Sequence, residues 1–184
     1  TAFEQLDTAF SGDGHGIPLT RELYESMEHK ITRNGTYYLT GEVSGISVIG
    51  ANVTICTHGY ECNISVYNNA SLNLFDCMYE EDIDGNMIGT SGKAIITNMG
   101  GIVNIQSGQA QIETSKMGNL TVNGGNILGI SSEDGSEIKI LDAKVEYINN
   151  VNGNLFIDGG EIGSLYNGGG SVVINNGNIS KITN

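Results

Sequence analysis

The chain contains no tryptophan, a single proline and three cysteines, and it sets only eight basic residues against 21 acidic ones. Each scarcity removes a class of explanation. At a net charge of −13 there is no basic patch for nucleic acid, and an anionic membrane surface would repel the chain. No apolar run approaches the ~18 residues of a spanning helix, so this segment is expected not to insert into a membrane. No secretory leader is recognisable at its start, which suggests a mature or excised piece. Cys56, Cys62 and Cys77 match no metal-ligand spacing and cannot all pair. Buried free thiols are the simplest account, with a Cys56–Cys62 loop bridge or a Cys56–Cys77 bridge between turns as alternatives. One proline among 27 glycines suits many tight corners, and the regular aliphatic spacing sets the chain apart from low-complexity disorder.

What is abundant is repetition. Five segments align: GIVNIQSGQAQIETSKM, GNLTVNGGNILGISSED, GSEIKILDAKVEYINNVN, GNLFIDGGEIGSLYNGG and GSVVINNGNISKITN. They begin at Gly101, Gly118, Gly135, Gly153 and Gly170, at spacings of 17, 17, 18 and 17. A fixed period this short predicts a solenoid. One column reads Val103, Leu120, Ile138, Leu155, Val172, and two residues on comes Ile105, Val122, Ile140, Ile157, Ile174. A third is Ala110, Ile127, Val145, Ile162, Ile179; a fourth is Ile130, Ile148, Leu165, Ile182, where the first copy has Glu113 with Ile112 beside it. Apolar pairs flanking one polar residue are short half-buried strands. Four inward side chains contribute roughly 1.5–3 kcal/mol each. Ordering a turn's backbone costs about 1–2 kcal/mol per residue, so a turn cannot stand alone and must stack. The expectation is an all-β, single-stranded parallel β-helix of about 17–19 residues per turn. A small column, Gly108, Gly125, Ala143, Gly160, Gly177, marks a corner needing positive φ or close stacking; Ala143 favours stacking.

Upstream, residues 1–33 read as a lead-in followed by a capping helix, and 34–184 as the β-helix. Asp13 and His15 lie in the lead-in without partners at ligand spacing. The helix is expected over 18–31, with Thr20 as N-cap and Leu23, Met27 and Ile31 on one face, covering the open solenoid end. From Asn34, alternating apolar pairs recur: Tyr37 and Leu39, Ile46 and Val48, Val53 and Ile55, Ile64 and Val66, Leu72 and Leu74. Leu72 to Val103 spans 31 residues, so one turn carries an insertion around MYEEDIDGNM. The chain stops in mid-repeat, which suggests a solenoid truncated at its C-terminal end.

NGTYYLTGEV, then NVTICTHG, then SLNLFDC, then GNMIG and GGIVNIQSG resemble, in that order, the secreted β-helix repeat proteins on the surface of Gram-positive gut bacteria. The resemblance covers 34–184. It implies a right-handed, pectate-lyase-like helix and an extracellular, adhesin-like setting, and it brings no catalytic residues. The chain departs from that pattern at Thr57-His58-Gly59, where the family has Leu-Asn-Gly, and it lacks the family's frequent Trp.

Three chemistries deserve weighing. Glu80, Glu81, Asp82, Asp84 and Asn86 form an acidic loop whose alternating oxygens and Gly85 resemble the start of a calcium loop, without its distal bidentate Glu. A solvated acidic loop is the simpler reading, and calcium is the only cofactor considered. A carbohydrate-active enzyme, lyase or hydrolase, would need paired carboxylates or a basic residue near calcium. Asp142 and Asp158 fall in different columns, while Lys144 and Glu161 share one at about 4.8 Å, the spacing of an exposed ion pair. His15, His29 and His58 have no nucleophile at recognisable spacing. Binding has more support: Phe156 and Val173 share an outward column, and Tyr147 and Tyr166 flank the last apolar column on adjacent turns, beside Asn-rich positions that suit sugar hydroxyls. Packing against further turns is the plain alternative for these aromatics. Six Asn-x-Ser/Thr sequons, at Asn34, Asn52, Asn63, Asn69, Asn119 and Asn178, would be glycan acceptors in a eukaryotic secreted chain and corner residues in a bacterial one. A regular threonine ladder of the ice-binding kind is missing, because Thr121 neighbours Asn104 and Lys139. The expected function is therefore a non-catalytic, bacterial cell-surface segment, adhesin-like, presenting a face to a glycan or a host or cell-surface protein. An enzyme or its inactive remnant comes second and a structural stalk third.

Overall fold

The computed structural model describes residues 16–78, 80 and 92–184. They form a parallel β-solenoid of about nine turns. Two ladders run its length. The first stacks Ile17–Leu19, Gly35–Leu39, Asn52–Cys56, Ser71–Phe75, Ile102–Ile105, Asn119–Val122 and Glu137–Ile140, then the leading halves of the long strands Gly153–Asn167 and Gly170–Ile179. The second stacks Lys30–Ile31, Val43–Val48, Cys62–Tyr67, Lys93–Met99, Gln109–Ser115, Asn126–Ser132 and Lys144–Asn150, then the trailing half of Gly153–Asn167, with Ile182–Thr183 last.

The register reproduces the repeat columns. Val103, Leu120, Ile138, Leu155 and Val172 are successive partners, as are Ile105, Val122, Ile140, Ile157 and Ile174. Where Glu113 broke the fourth column, a register shift after Ala110 sets Ile112 opposite Ile130, and Ile112 is buried. The column then runs on back through Ile96 and Ile64. The 31-residue spacing is also real: Leu72 and Val103 are direct partners. Each fully buried Ile or Leu contributes roughly 1.5–3 kcal/mol, which makes this narrow core the main source of stability.

The corner column combines both explanations for glycine. Gly108, Gly125, Gly160 and Gly177 all have positive φ, and a Cβ on Gly125 would lie 2.5 Å from the Gly108 carbonyl. Ala143, buried in the same column, is the one member outside the left-handed region. A second inward column is polar. Asn98, Thr114, Ser132, Asn150 and Asn167 are successive partners, following Val66. The first four are fully buried. Asn98 Oδ1 accepts the Gly101 N–H at 2.9 Å, and its Nδ2 donates to the Asn119 carbonyl at 3.0 Å. The side chain thus closes its own corner and ties it to the next turn. Facing this column is a set of small residues, among them Ala51, Ala70, Gly101, Gly118, Ser136 and Gly153, all buried.

The first turn begins before Asn34. Ile17–Leu19 pairs with 37–39, so the helix sits within that turn, between its two strands. The helix is Arg21–Ser26, shorter than the expected 18–31. Thr20 does cap it, accepting the Leu23 N–H at 3.2 Å; a backbone N–H, and after it the Thr20 hydroxyl, hydrogen-bond the Glu22 carboxyl and hold it below its usual range. Glu28 and His29 then enter the left-handed region at φ 51° and 62°, which ends the helix and sends Ile31 into a strand. Leu23 and Met27 rest against the core, the Tyr24 hydroxyl donates to the Ser44 carbonyl, and the Tyr24 ring stacks on His29 at 4.3 Å. At the other end Ile174 and Ile182 occupy inward columns yet remain 42% and 52% exposed, having neighbours on one side only.

Candidate functional site

The outward rows carry the candidates. In the first ladder one row runs Thr54, Asn73, Asn104, Thr121, Lys139, Phe156, Val173. Phe156 and Val173 are direct partners, with Val173 exposed and Phe156 half-buried. Tyr147 and Tyr166 belong to the second ladder, opposite Ser164 and Asn149 respectively. The four aromatic and aliphatic candidates are therefore two pairs on separate ladders, and the pair on the second ladder is offset by two columns. Of the acidic loop, Glu80 is described and exposed; Glu81, Asp82, Asp84 and Asn86 lie outside the described residues, as do Asp13 and His15. Among the described residues no group of three His, Cys, Asp or Glu side chains converges as a metal site.

A groove opens beside Glu146. Val145 and Ile148 both point into the core, as do Ile162 and Leu165, so the two residues between each pair face outward. This places Glu146 and Tyr147 on one turn, above Gly163 and Ser164 on the next. The Tyr147 ring lies over Gly129, where any Cβ would collide with it. Gly163 lies flat against the Glu146 carbonyl, 2.5 Å from where a Cβ would stand. The space above Gly163 is an open groove of ≈ 720 Å³ lined by Lys144, Glu146, Glu161, Asn178 and Ser180. Lys144, Glu161 and Asn178 form one row along it, since they are successive ladder partners. Chemically this is a neutral-to-acidic slot with both donors and acceptors.

A second aromatic group was not singled out in the sequence. Tyr38 and His58 have ring centres 5.9 Å apart, and His58 and Tyr60 6.4 Å apart. His58 adopts φ 52° in the corner Thr57-His58-Gly59, and its half-buried imidazole sits between the two tyrosines. No helix among the described residues is long and apolar enough to cross a membrane. No known protein family, characterised protein or solved structure matches the chain.

Proposed function

We propose that the chain is a non-catalytic, adhesin-like β-solenoid of a bacterial cell surface, and that it presents a glycan-binding face. The observation that carries this reading is the groove over Gly163. One column away the protein lays its own six-membered ring, Tyr147, across a glycine. The slot over Gly163 offers a similarly flat floor, with Glu146, Glu161, Asn178, Ser180 and Lys144 around it. A pyranose ring has the thickness of such a slot and hydroxyls that such side chains hydrogen-bond, while exposed tyrosines provide stacking surfaces. The four aromatic and aliphatic candidates then divide: Tyr147 leans over Gly129 on the turn before the groove, Tyr166 follows on the same ladder, and Phe156 and Val173 are a separate apolar pair.

The test is a glycan array with the whole chain, run in calcium and in chelator, followed by titration of any ligand against Glu161→Ala/Asn178→Ala and Phe156→Ala variants. Selective binding to one glycan class, weakened tenfold or more by the groove variant and unchanged by Phe156→Ala, is the expected result. Loss in chelator would move the site to the acidic loop. No binding by the folded chain would overturn the reading in favour of a stalk, and release of new reducing or unsaturated ends from a polysaccharide would overturn it in favour of an enzyme.

A further inference from the structure

We infer that Cys56 and Cys77 are the two halves of an intramolecular disulfide that closes one turn of the solenoid into a covalent ring. Their sulfur atoms stand 2.9 Å apart. A disulfide needs about 2.05 Å, so closure moves the sulfurs by only about 0.9 Å. The backbones that carry them are already fixed to each other. The Thr57 N–H donates to the Phe75 carbonyl at 2.9 Å. The Asp76 carboxylate, buried between them, accepts the Gly59 N–H at 2.9 Å and the Met78 N–H at 3.0 Å. The Ser107 hydroxyl of the following turn accepts the Asp76 N–H at 3.1 Å. Cys62 is no competitor: it is buried in the second ladder, opposite Val43 and Ala94. The ring closed by the bridge contains Cys62–Tyr67 and Ser71–Phe75, one strand from each ladder.

The oxidant is a small-molecule disulfide of the glutathione class. Cys77 is exposed and Cys56 buried, which sets the order of attack. The Cys77 thiolate attacks one sulfur of the small disulfide, forming a mixed disulfide and releasing one small thiolate. The Cys56 thiolate then attacks the Cys77 sulfur and expels the second. Two protein thiols are oxidised, one small disulfide is reduced to two thiols, and the two protein protons pass to the released thiolates. Desolvation, reinforced by the Cys56 thiol, pushes the Cys77 thiol up to about 12. Thiolate is scarce at neutral pH, so the rate rises about tenfold per pH unit below that value.

The test incubates the whole chain with oxidised glutathione at pH 7 and pH 9, counts thiols after denaturation, and maps unreduced peptides by mass spectrometry. The expected result is a fall from three thiols to one, with Cys56 linked to Cys77 and Cys62 free. The melting temperature should rise by roughly 5–10 °C, as for closure of a loop of this length in a domain of this size. Cys62→Ser should behave as the parent, and Cys77→Ser should lose both the link and the shift. Three thiols persisting at pH 9, a glutathione adduct on Cys77 that never resolves, or a bridge mapped to Cys62 would each overturn the inference.

Discussion

Asn150 holds both backbone polar groups of Gly153: its Oδ1 accepts the Gly153 N–H at 2.9 Å and its Nδ2 donates to the Gly153 carbonyl at 3.1 Å. The same Nδ2 reaches the Asn167 side chain at 2.8 Å and the Gly169 carbonyl at 3.1 Å. One buried amide thus joins two consecutive corners. Replacing it removes these bonds and leaves a buried backbone N–H unpaired. Asn150→Ala should destabilise the chain by about 2–4 kcal/mol, read from the shift of the urea midpoint.

Two positions up the same column the balance reverses. Thr114 Oγ1 and Ser132 Oγ are buried with no hydrogen-bond partner. A buried hydroxyl without a partner is unfavourable by about 1–3 kcal/mol. Thr114→Val keeps the volume and removes the hydroxyl, and should stabilise by about 1 kcal/mol. A measured loss of that size would show that the hydroxyl is satisfied in solution.

The corner glycines should resist even the smallest side chain. Gly125 combines φ +95° with a Cβ position 2.5 Å from the Gly108 carbonyl. Gly125→Ala should cost about 2 kcal/mol or more, because strain and a backbone clash add. Ala143→Gly, at a member of that column which tolerates a Cβ, should cost only about 0.5–1 kcal/mol.

Alkaline pH should unfold the reduced protein through Cys62. Burial first, then the Asp76 and Glu61 charges, push its thiol from 9.0 up to about 12. A raised folded value means that stability is whole below pH 9 and is lost as pH climbs toward 12, because the unfolded thiol ionises first. Burial also raises Tyr24 and Tyr37, so they act in the same direction above pH 10. Stability of Cys62→Ala, followed by denaturant titration from pH 8 to 11, should fall less steeply than that of the parent; parallel curves would refute this.

The apolar columns were legible in the sequence because a turn of fixed length brings each Ile, Leu or Val back to one place. The exceptions were legible only in three dimensions. Ile112 joins its column through a register shift that no count of residues reveals. Asn98 and Asn150 belong to no hydrophobic column, and alternation cannot tell an outward Asn from one turned inward to close a corner. Their signature, Asn followed three residues later by Gly, was present in NMGG and NVNG but carries no hydrophobicity. The helix ended early because Glu28 and His29 took left-handed conformations that neither residue type advertises. At the groove, Glu161 and Lys144 had been placed in one column from the period alone, and the ladder puts them there. What the period could not show was the pair of outward residues between Val145 and Ile148, which opens the slot above Gly163 beside Glu146.

Turns that are nearly interchangeable invite pairing with the wrong neighbour while the chain folds. The inward column that changes from Val66 to Asn98 works against this. Shifted by one turn, Asn98 would face Val48, and its amide would sit among aliphatic groups with its bonds to Gly101 and Asn119 at risk. The facing residues change in step, Ala51 and Ala70 giving way to Gly101 and Gly118. Each turn therefore carries an address written in side-chain polarity and size, and a solenoid assembled out of sequence would be recognised by the chain itself as misaddressed.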